Sequence, residues 1–104
     1  MLNRNMEELT GFQRDLVYVI VNLDKPSGQD IRRELESYYD GGVNHGRLYP
    51  NLEILVEEGF VNKGTQDQRT NYYEITDKGI ELLQSRHDWV NNLVNTEEVT
   101  GIAA

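Results

Sequence analysis

The period of the apolar residues changes after Gly59, and this change limits the folds that are open to the chain. Before Gly59, apolar residues recur at spacings of three and four, which is typical of amphipathic helices. Residues 60–63 and 72–75 are instead short, rich in β-branched and aromatic residues, and joined by a polar stretch, which predicts a β-hairpin with a long tip. From Thr76, the expected cap, to about Val94 the helical period returns. The pattern predicts a mainly α-helical fold with one small β-hairpin.

Three helices are predicted ahead of the hairpin. The first extends from about Leu9 to Leu23, because Pro26 then prevents the helix from continuing. Ser27 is expected to cap a second helix, which ends near Tyr39. Asn44 is expected to cap a third helix, which ends at Gly59, and Pro50 predicts an irregular start to it. The inward-facing positions of the second helix are predicted to be Ile31, Leu35 and Tyr38.

The composition excludes several kinds of functional site. The 104 residues include no cysteine, so disulfides, thiolate metal sites and cysteine nucleophiles are excluded. The two histidines, His45 and His87, lie in different segments, and no carboxylate cluster has the spacing of a metal site, so neither a metal nor another cofactor is expected. No nucleophile is paired with a base, and no pair of carboxylates suggests a catalytic cleft. The chain is therefore not expected to be an enzyme.

Length and hydropathy predict one small domain. With 104 residues, of which 38% are hydrophobic, the chain is expected to form a single domain over 1–104, and its modest core favours completion by a partner subunit. No stretch of about 20 apolar residues could span a membrane, and the first eight residues lack the apolar core of a signal peptide. We therefore expect a cytoplasmic protein.

The acidic charge is distributed unevenly along the chain. A net charge of −8 is unfavourable for binding a polyanion, since such binding depends on neutralising phosphates. However, residues 41–52 contain no carboxylate, and residues 59–73 contain Lys63 and Arg69 against one acid, Asp67. These two acid-poor windows are where a polyanion could approach. The remaining surface, with 18 acids against 10 cations overall, suits the salt-rich cytoplasm of a halophile, and a mildly acidic mesophilic protein is the alternative.

Three helices followed by a hairpin are typical of the winged helix-turn-helix. In this architecture the second and third helices form the helix-turn-helix unit, the third enters the major groove, and the hairpin lies along the DNA backbone or the minor groove. We expect residues 9–75 to form this unit and residues 76–95 to form a C-terminal dimerisation helix. Residues 96–104 show no periodicity and are expected to be a disordered tail.

Three motifs, in order along the chain, resemble those of PadR-like transcription regulators. They are His-Gly-Arg-Leu-Tyr-Pro-Asn-Leu at 45–52, Leu-Val-Glu-Glu-Gly-Phe-Val at 55–61 and Tyr-Glu-Ile-Thr-Asp-Lys-Gly at 73–79. The resemblance covers about residues 12–90, and the opening residues 9–15 with the His-Gly-Arg variant are similar to the haloarchaeal branch of the family. It implies a homodimer that binds operator DNA, often as a repressor. The chain resembles the short-form members, which lack a long C-terminal helical region.

Candidate DNA contacts lie first on the third helix. Asn44, Arg47 and Asn51 recur at spacings of three and four, and we expect them to form a face opposite the inward leucines. Arginine can donate two hydrogen bonds to guanine, and asparagine can pair with adenine, so this face is predicted to read bases, with an ordinary solvated face as the alternative. His45 lies at the positive end of the helix, where it meets a phosphate or is simply exposed. Tyr49 either packs under the helix or directs its hydroxyl at a phosphate.

The hairpin tip contains one cation among polar residues. Arg69 is predicted to enter a minor groove or to contact a phosphate, and an inert tip is the alternative. Lys63, on the first strand, contributes either a phosphate contact or only solubility. The candidate contacts in the tip are Gln68, Arg69, Thr70 and Asn71.

The apolar face of the last helix is wider than one small domain can cover. Its apolar stripe is flanked by Leu82, Trp89 and Leu93. We therefore expect a homodimer interface here, with simple packing of the helix on its own domain as the alternative. The expected interface residues are Leu2, Met6, Leu9, Ile80, Leu83, His87, Val90 and Val94.

These features together predict a transcription regulator that binds double-stranded DNA in a sequence-specific manner. It is expected to act as a homodimer on a pseudo-palindromic operator, as a repressor. The alternative is a winged helix used only for protein contacts, which would carry acids on the recognition face, whereas the predicted face has none. The sequence indicates no effector ligand.

Overall fold

The predicted helices and hairpin are present in the structure, a computed structural model that describes residues 5–94. A short 3₁₀ helix that was not predicted precedes them. The interface prediction for Leu2 and the tail 96–104 lie outside the described residues. The elements are the 3₁₀ helix Met6–Glu8, α1 (Gly11–Asn22), α2 (Gly28–Tyr38), α3 (His45–Glu57), β1 (Val61–Thr65), β2 (Asn71–Ile75) and α4 (Asp77–Leu93).

All three predicted N-caps are confirmed. The Ser27 hydroxyl accepts a hydrogen bond from the backbone N–H of Asp30 at 3.1 Å, and the Asp30 carboxylate accepts one from the N–H of Ser27 at 2.9 Å, which is a capping box. Asn44 caps α3, and Thr76 caps α4. Each cap satisfies amide groups that a helix start leaves without a partner. The polar residues between the apolar segments therefore fix where the helices begin.

The irregular start that Pro50 predicted for α3 is not observed. The helix is continuous from His45, and Pro50 is its sixth residue. Proline has no N–H to donate to the carbonyl four residues earlier, which belongs to Gly46. Because Gly46 is exposed, water can satisfy that carbonyl, and the helix accommodates the proline.

Helices α1, α2 and α3 pack around one core that the hairpin closes. Leu16, Ile31, Leu48 and Tyr73 are among its fully buried members. One inward prediction was wrong, because Tyr38 is 87% exposed and the ring of Tyr39 packs against the core instead.

The chain itself explains this exchange of tyrosines. Tyr38 is the last residue of α2, and the backbone at Tyr39 is extended, so the side chain after the helix end turns towards α1. The Tyr39 ring centroid lies 6.2 Å from that of Phe12, and the Tyr39 hydroxyl donates to Asp15. Burial, together with this hydrogen bond, raises the pKa of Tyr39 to about 12.

The hairpin, which we call the wing, is an antiparallel pair in which Val61 lies opposite Ile75 and Thr65 lies opposite Asn71. It is anchored to the α1–α2 loop, since the backbone N–H of Tyr73 donates to the Pro26 carbonyl at 2.9 Å. At the tip, the Asp67 carboxylate accepts hydrogen bonds from two backbone amides, those of residues 69 and 70. These bonds lower the pKa of Asp67 and give the tip a defined conformation.

Helix α4 adds little to this core. Its one fully buried residue is Gly79, where a Cβ atom would overlap the backbone carbonyl of Phe60, so only glycine allows this close approach. Leu82 and Leu83 pack against the core from one side. In the part of the chain that the structure describes, no helix is both long and apolar enough to cross a membrane.

Candidate nucleic-acid interface

The N-terminal end of α3 is the most accessible part of that helix. Residues 44–47 are all exposed, and the first turn contains no acid. The amide groups of a helix start carry partial positive charge, which favours an anion such as a phosphate. This end of α3 is thus open and electrostatically suited to DNA.

The outward face of α3 differs from the one predicted. Leu48, Leu52 and Leu55 are buried, and Asn51 follows Leu48 by three residues and precedes Leu55 by four, so it lies beside the buried stripe rather than opposite to it. The outward stripe, at the same helical spacing, is formed by Gly46, Pro50, Glu53 and Glu57. The expectation of an acid-free recognition face therefore holds for the N-terminal half of α3 and is wrong for its C-terminal half.

Asn51 links α3 to α1. Its side-chain oxygen accepts a hydrogen bond from the Gln13 amide at 2.9 Å, and its side-chain nitrogen donates to the carbonyl of Arg47 at 2.7 Å. Pairing with adenine uses these same two atoms, so an adenine would have to share them with Gln13 and the Arg47 carbonyl. The structure places Asn51 in a structural role that the sequence prediction did not foresee.

Arg47 is the exposed cation of the recognition helix. Its guanidinium carbon lies 4.0 Å from the centre of the Phe12 ring. Among residues 5–94 no hydrogen bond or ion pair occupies its guanidinium. Asn44 belongs to the same turn, where its side-chain oxygen accepts from the Arg47 N–H at 2.9 Å, so capping is its observed role.

His45 and Tyr49 form a stacked pair beside the wing. Their ring centroids lie 5.4 Å apart at an interplanar angle of 18°, and one guanidinium nitrogen of Arg32 lies 3.5 Å from the His45 ring nitrogen Nε2. The Tyr49 ring covers Gly28 at the start of α2, where a Cβ atom would overlap it. The packing alternative for Tyr49 is therefore observed, with its hydroxyl at the N-terminus of α2, and a contact of that hydroxyl with a phosphate stays a prediction.

A cleft of about 580 Å³ separates this hydroxyl from the wing tip. Its walls include the start of α2 and three of the predicted tip contacts, Arg69, Thr70 and Asn71. Arg69 and Gln68 are exposed. The structure thus brings the wing tip, the start of α2 and Tyr49 of α3 together around one concave surface.

Lys63 is less available than the sequence suggested. Its ammonium group lies 2.7 Å from a carboxylate oxygen of Glu53 on α3, and this hydrogen bond raises the pKa of Lys63. The pair neutralises Glu53 on the outward stripe of α3. Lys63 therefore reduces the repulsion between Glu53 and an approaching phosphate, and it can do so without contacting the phosphate itself.

Lys25 is a cation that sequence reasoning missed. It lies in the α1–α2 loop, and its ammonium nitrogen is 5.4 Å from the centre of the Tyr72 ring in the wing. Its carbonyl accepts a hydrogen bond from the side chain of Gln66 at 3.2 Å. No sequence pattern marks Lys25 as a neighbour of the wing, because the contact joins it to Tyr72, 47 residues later in the chain.

The predicted dimer residues divide into two groups. Met6 and Leu9, with 5% and 3% of their surfaces exposed, are buried in the protomer's own core, since the 3₁₀ helix folds them inward, so they have almost no surface to offer a partner. Leu83 and Val90 are half-buried. The exposed members of the prediction are Ile80, His87 and Val94.

Two of the three apolar residues that flank the predicted stripe are also exposed. Trp89 and Leu93 have 52% and 60% of their surfaces open to solvent, and the Arg86 guanidinium lies 4.9 Å from the Trp89 ring centre. The first half of α4 thus packs on its own domain, while the second half presents unpaired apolar surface. Within residues 5–94, no three histidine or carboxylate side chains are grouped as a metal site would require.

Comparison with known proteins identifies the family. The sequence model of the Transcriptional regulator PadR-like family matches residues 16–85. The negative transcriptional regulator PadR of Bacillus subtilis (strain 168) is 34% identical over an alignment covering 74% of this chain and 46% of that protein, so the chain spans about half the length of this relative.

Solved structures agree with the predicted fold. RosR from H. salinarum superposes with a TM-score of 0.84 and 38% identity, over 95% of this chain and 94% of that one. F93 from STIV, a winged-helix DNA-binding protein, superposes with a TM-score of 0.66 at 18% identity, over 80% of this chain and 90% of that one, which confirms the winged-helix fold. The family model, the B. subtilis relative and the motifs in the chain lead to one conclusion: this protein belongs to the PadR-like family of transcriptional regulators.

Proposed function

We propose that the protein is a sequence-specific regulator of transcription that binds double-stranded DNA as a homodimer. The observation that carries the proposal is the open, acid-free start of α3, where Arg47 is exposed and has no charged partner among the described residues. A guanidinium in this position can donate two hydrogen bonds to the O6 and N7 atoms of guanine in the major groove. Membership of a family of transcriptional regulators supports the same function.

The charges on α3 limit how the helix meets DNA. Glu53 and Glu57 lie on the outward stripe of its C-terminal half, where phosphates would repel them. We therefore place the N-terminal half of α3 in the major groove, with Arg47 and His45 towards the DNA. Arg69 at the wing tip then lies at the flanking phosphates or minor groove.

A single protomer offers few cations for this contact. Arg47, Arg69 and Lys25 are the main ones, because Lys63 is paired with Glu53. Two protomers related by a two-fold axis double the contacts and require a pseudo-palindromic site, with half-sites about one helical turn apart or a multiple of it. The exposed apolar half of α4 supplies a surface for such a dimer.

The direction of regulation and the location follow from the same proposal. The B. subtilis relative is a negative regulator, and a dimer seated on an operator would block transcription, so we propose a repressor. A repressor must reach the chromosome, so we propose that the protein acts in the cytoplasm. The acidic surface, together with the likeness to RosR from H. salinarum, supports a halophilic protein.

The proposal is tested by selecting sequences from a random duplex pool with the purified protein at a stated salt concentration. We expect one pseudo-palindromic sequence to be enriched. Arg47→Ala should weaken binding to the enriched duplex by about 1–3 kcal/mol and relax the preference at one base pair of each half-site. The matched variant Arg47→Lys keeps the charge but loses the bidentate geometry, so it should lose the base preference while retaining binding to random DNA.

The same selection addresses the alternative of a winged helix used only for protein contacts. Such a module would enrich no sequence, and Arg47→Ala would leave its weak binding to DNA unchanged. Enrichment of a sequence without two-fold symmetry would contradict the dimeric operator while leaving sequence recognition in place.

A further inference from the structure

The backbone of Arg47 is held on both sides by side chains. Its N–H donates to Asn44 at 2.9 Å, and its carbonyl accepts from Asn51 at 2.7 Å. Asn51 in turn accepts from the amide of Gln13 at 2.9 Å. Gln13 is only 3% exposed, and its oxygen accepts from the backbone N–H of Thr10 at 3.0 Å. A continuous chain of hydrogen bonds thus ties the backbone at Arg47 to the first turn of α1.

The guanidinium of Arg47 is held by the residue next to Gln13. Its central carbon lies 4.0 Å from the centre of the Phe12 ring, which is within the range of a cation–π interaction. Phe12 is itself buried against the ring of Tyr39, whose hydroxyl donates to Asp15. The ring under the guanidinium therefore has little freedom to move.

A stacked guanidinium keeps its hydrogen-bonding edge free. The stack uses the flat face of the group, whereas its five N–H donors lie in the plane. A long side chain that is free in solution loses rotamer freedom when it binds, and this loss is smaller when the side chain is already held. The stack on Phe12 therefore restricts Arg47 without using the atoms that would contact a base.

We propose that Phe12 is a positioning residue for DNA recognition, which presents the edge of the Arg47 guanidinium to the major groove. The Gln13–Asn51 link fixes the backbone beneath it, so two adjacent residues of α1 set the geometry of a contact made by α3. The inference rests on the proposed function, because it assumes that Arg47 meets a base. In the opposite arrangement, the ring would hold the guanidinium away from DNA. Removing the ring would then tighten binding to DNA instead of weakening it.

The test uses the duplex enriched by the wild-type protein and a scrambled duplex of equal length, at one salt concentration. Phe12→Leu keeps an apolar side chain and removes the ring. We expect it to weaken binding to the enriched duplex about two- to fivefold, the effect of losing a cation–π contact at an exposed site, and to leave the scrambled duplex unaffected. In the Arg47→Ala background, Phe12→Leu should cause no further loss. Phe12→Tyr, which keeps the ring, should bind like the wild type.

Three outcomes would overturn the proposal. They are equal weakening on both duplexes, losses that add in the double variant, and tighter binding of Phe12→Leu, which would indicate that the ring holds the guanidinium away from DNA. If no duplex is enriched at all, the proposed function fails first, and this result is distinct from a failure of the Phe12 variants alone.

The stack can also be measured in the free protein. The ring current of Phe12 should displace the side-chain proton signals of Arg47 upfield in NMR spectra, and Phe12→Leu should return them to ordinary positions. Thermal unfolding shows whether the variant is folded, since Phe12 belongs to the core. If Phe12→Leu does not fold, the wild-type spectrum decides alone, and undisplaced Arg47 signals would contradict the proposal.

Discussion

Helices α3 and α4 are the two longest helices within residues 5–94, and they use their apolar residues in opposite ways. Helix α3 buries Leu48, Leu52 and Leu55 completely within the protomer. Helix α4 has a single buried residue, Gly79, and it exposes Trp89 and other large apolar side chains. The packing of α3 is therefore complete in one protomer, whereas α4 leaves apolar surface uncovered, which a second copy covers in the dimer that we propose.

The arrangement of apolar residues around each helix explains the contrast. In α3 the leucines form one narrow stripe at spacings of four and three, and the core covers it. In α4 the line through Gly79 and Leu83 faces the core, and apolar residues continue on both sides of that line. One small domain cannot cover both sides, and the second half of the helix extends past it.

The largest expected difference concerns stability. Leu52→Ala should lower the free energy of unfolding by about 2–5 kcal/mol at any protein concentration, because it opens a cavity in a fully buried site. Leu93→Ala removes the same atoms from α4, and its cost should depend on protein concentration, since in the proposed dimer the contacts that it loses lie between subunits. Urea denaturation at two concentrations measures both. A concentration-independent loss of similar size at Leu93 would show that α4 packs within its own protomer.

A smaller effect is expected where α3 meets α1. Asn51→Ala leaves the buried amide of Gln13 without its acceptor, so stability should fall by about 1–3 kcal/mol. Asn62→Ala, at an exposed position of β1, makes the same chemical change and should stay within about 0.5 kcal/mol of the wild type. Equal stabilities of the two variants would mean that the link between Gln13 and Asn51 contributes nothing to the fold.

Much of the architecture could be predicted from the sequence, since local chemistry controls it. Ser27, Asn44 and Thr76 cap the helices that they were expected to cap, because a side-chain oxygen at a helix start acts on amides only two or three residues away. The change of period after Gly59 likewise located the wing. These signals need no knowledge of tertiary contacts.

The candidate site was harder to predict, because it depends on residues that are distant in the chain. Asn51 was expected to read bases, yet its partner is Gln13, 38 residues earlier. Lys63 was expected to contact a phosphate or to contribute only solubility, yet its ammonium group is paired with Glu53 on another element. The period of a helix shows which residues share a side, and it cannot show whether another helix covers that side.

The smallest effect concerns the cap of α2 and its dependence on pH. The hydrogen bond from the backbone N–H of Ser27 is the main cause that lowers the pKa of Asp30. The ionised carboxylate therefore stabilises the fold fully when the pH is above the ordinary pKa of an aspartate. This contribution is lost as the pH falls through the lowered pKa of the folded protein. Asp30→Asn should therefore cost stability at neutral pH, in the range of about 0.3–1 kcal/mol for a charge at a helix start. The cost should lie at the lower end, because the side chain is partly exposed.

Thermal unfolding at several pH values measures this contribution. The difference between Asp30→Asn and the wild type should disappear in acid, where both side chains are neutral. Gln29→Ala, at an exposed and uncharged position next to Asp30 in the same turn, should show no such pH dependence. A difference that persisted in acid would indicate that packing, rather than charge, is responsible.

The contrast between α3 and α4 is tested most directly by sedimentation of the Leu93→Asp variant, followed by titration onto the enriched duplex. Leu93 is mostly exposed in the protomer, so a charge there should leave the protomer folded, while burying it unpaired in a dimer would cost several kcal/mol. The control Asn92→Asp adds the same charge one residue earlier, on the polar side of α4. We predict that the wild type and the control are dimeric, and that Leu93→Asp is a folded monomer that binds the enriched duplex weakly. A Leu93→Asp protein that remains dimeric, or a monomer that binds with full affinity, would contradict it.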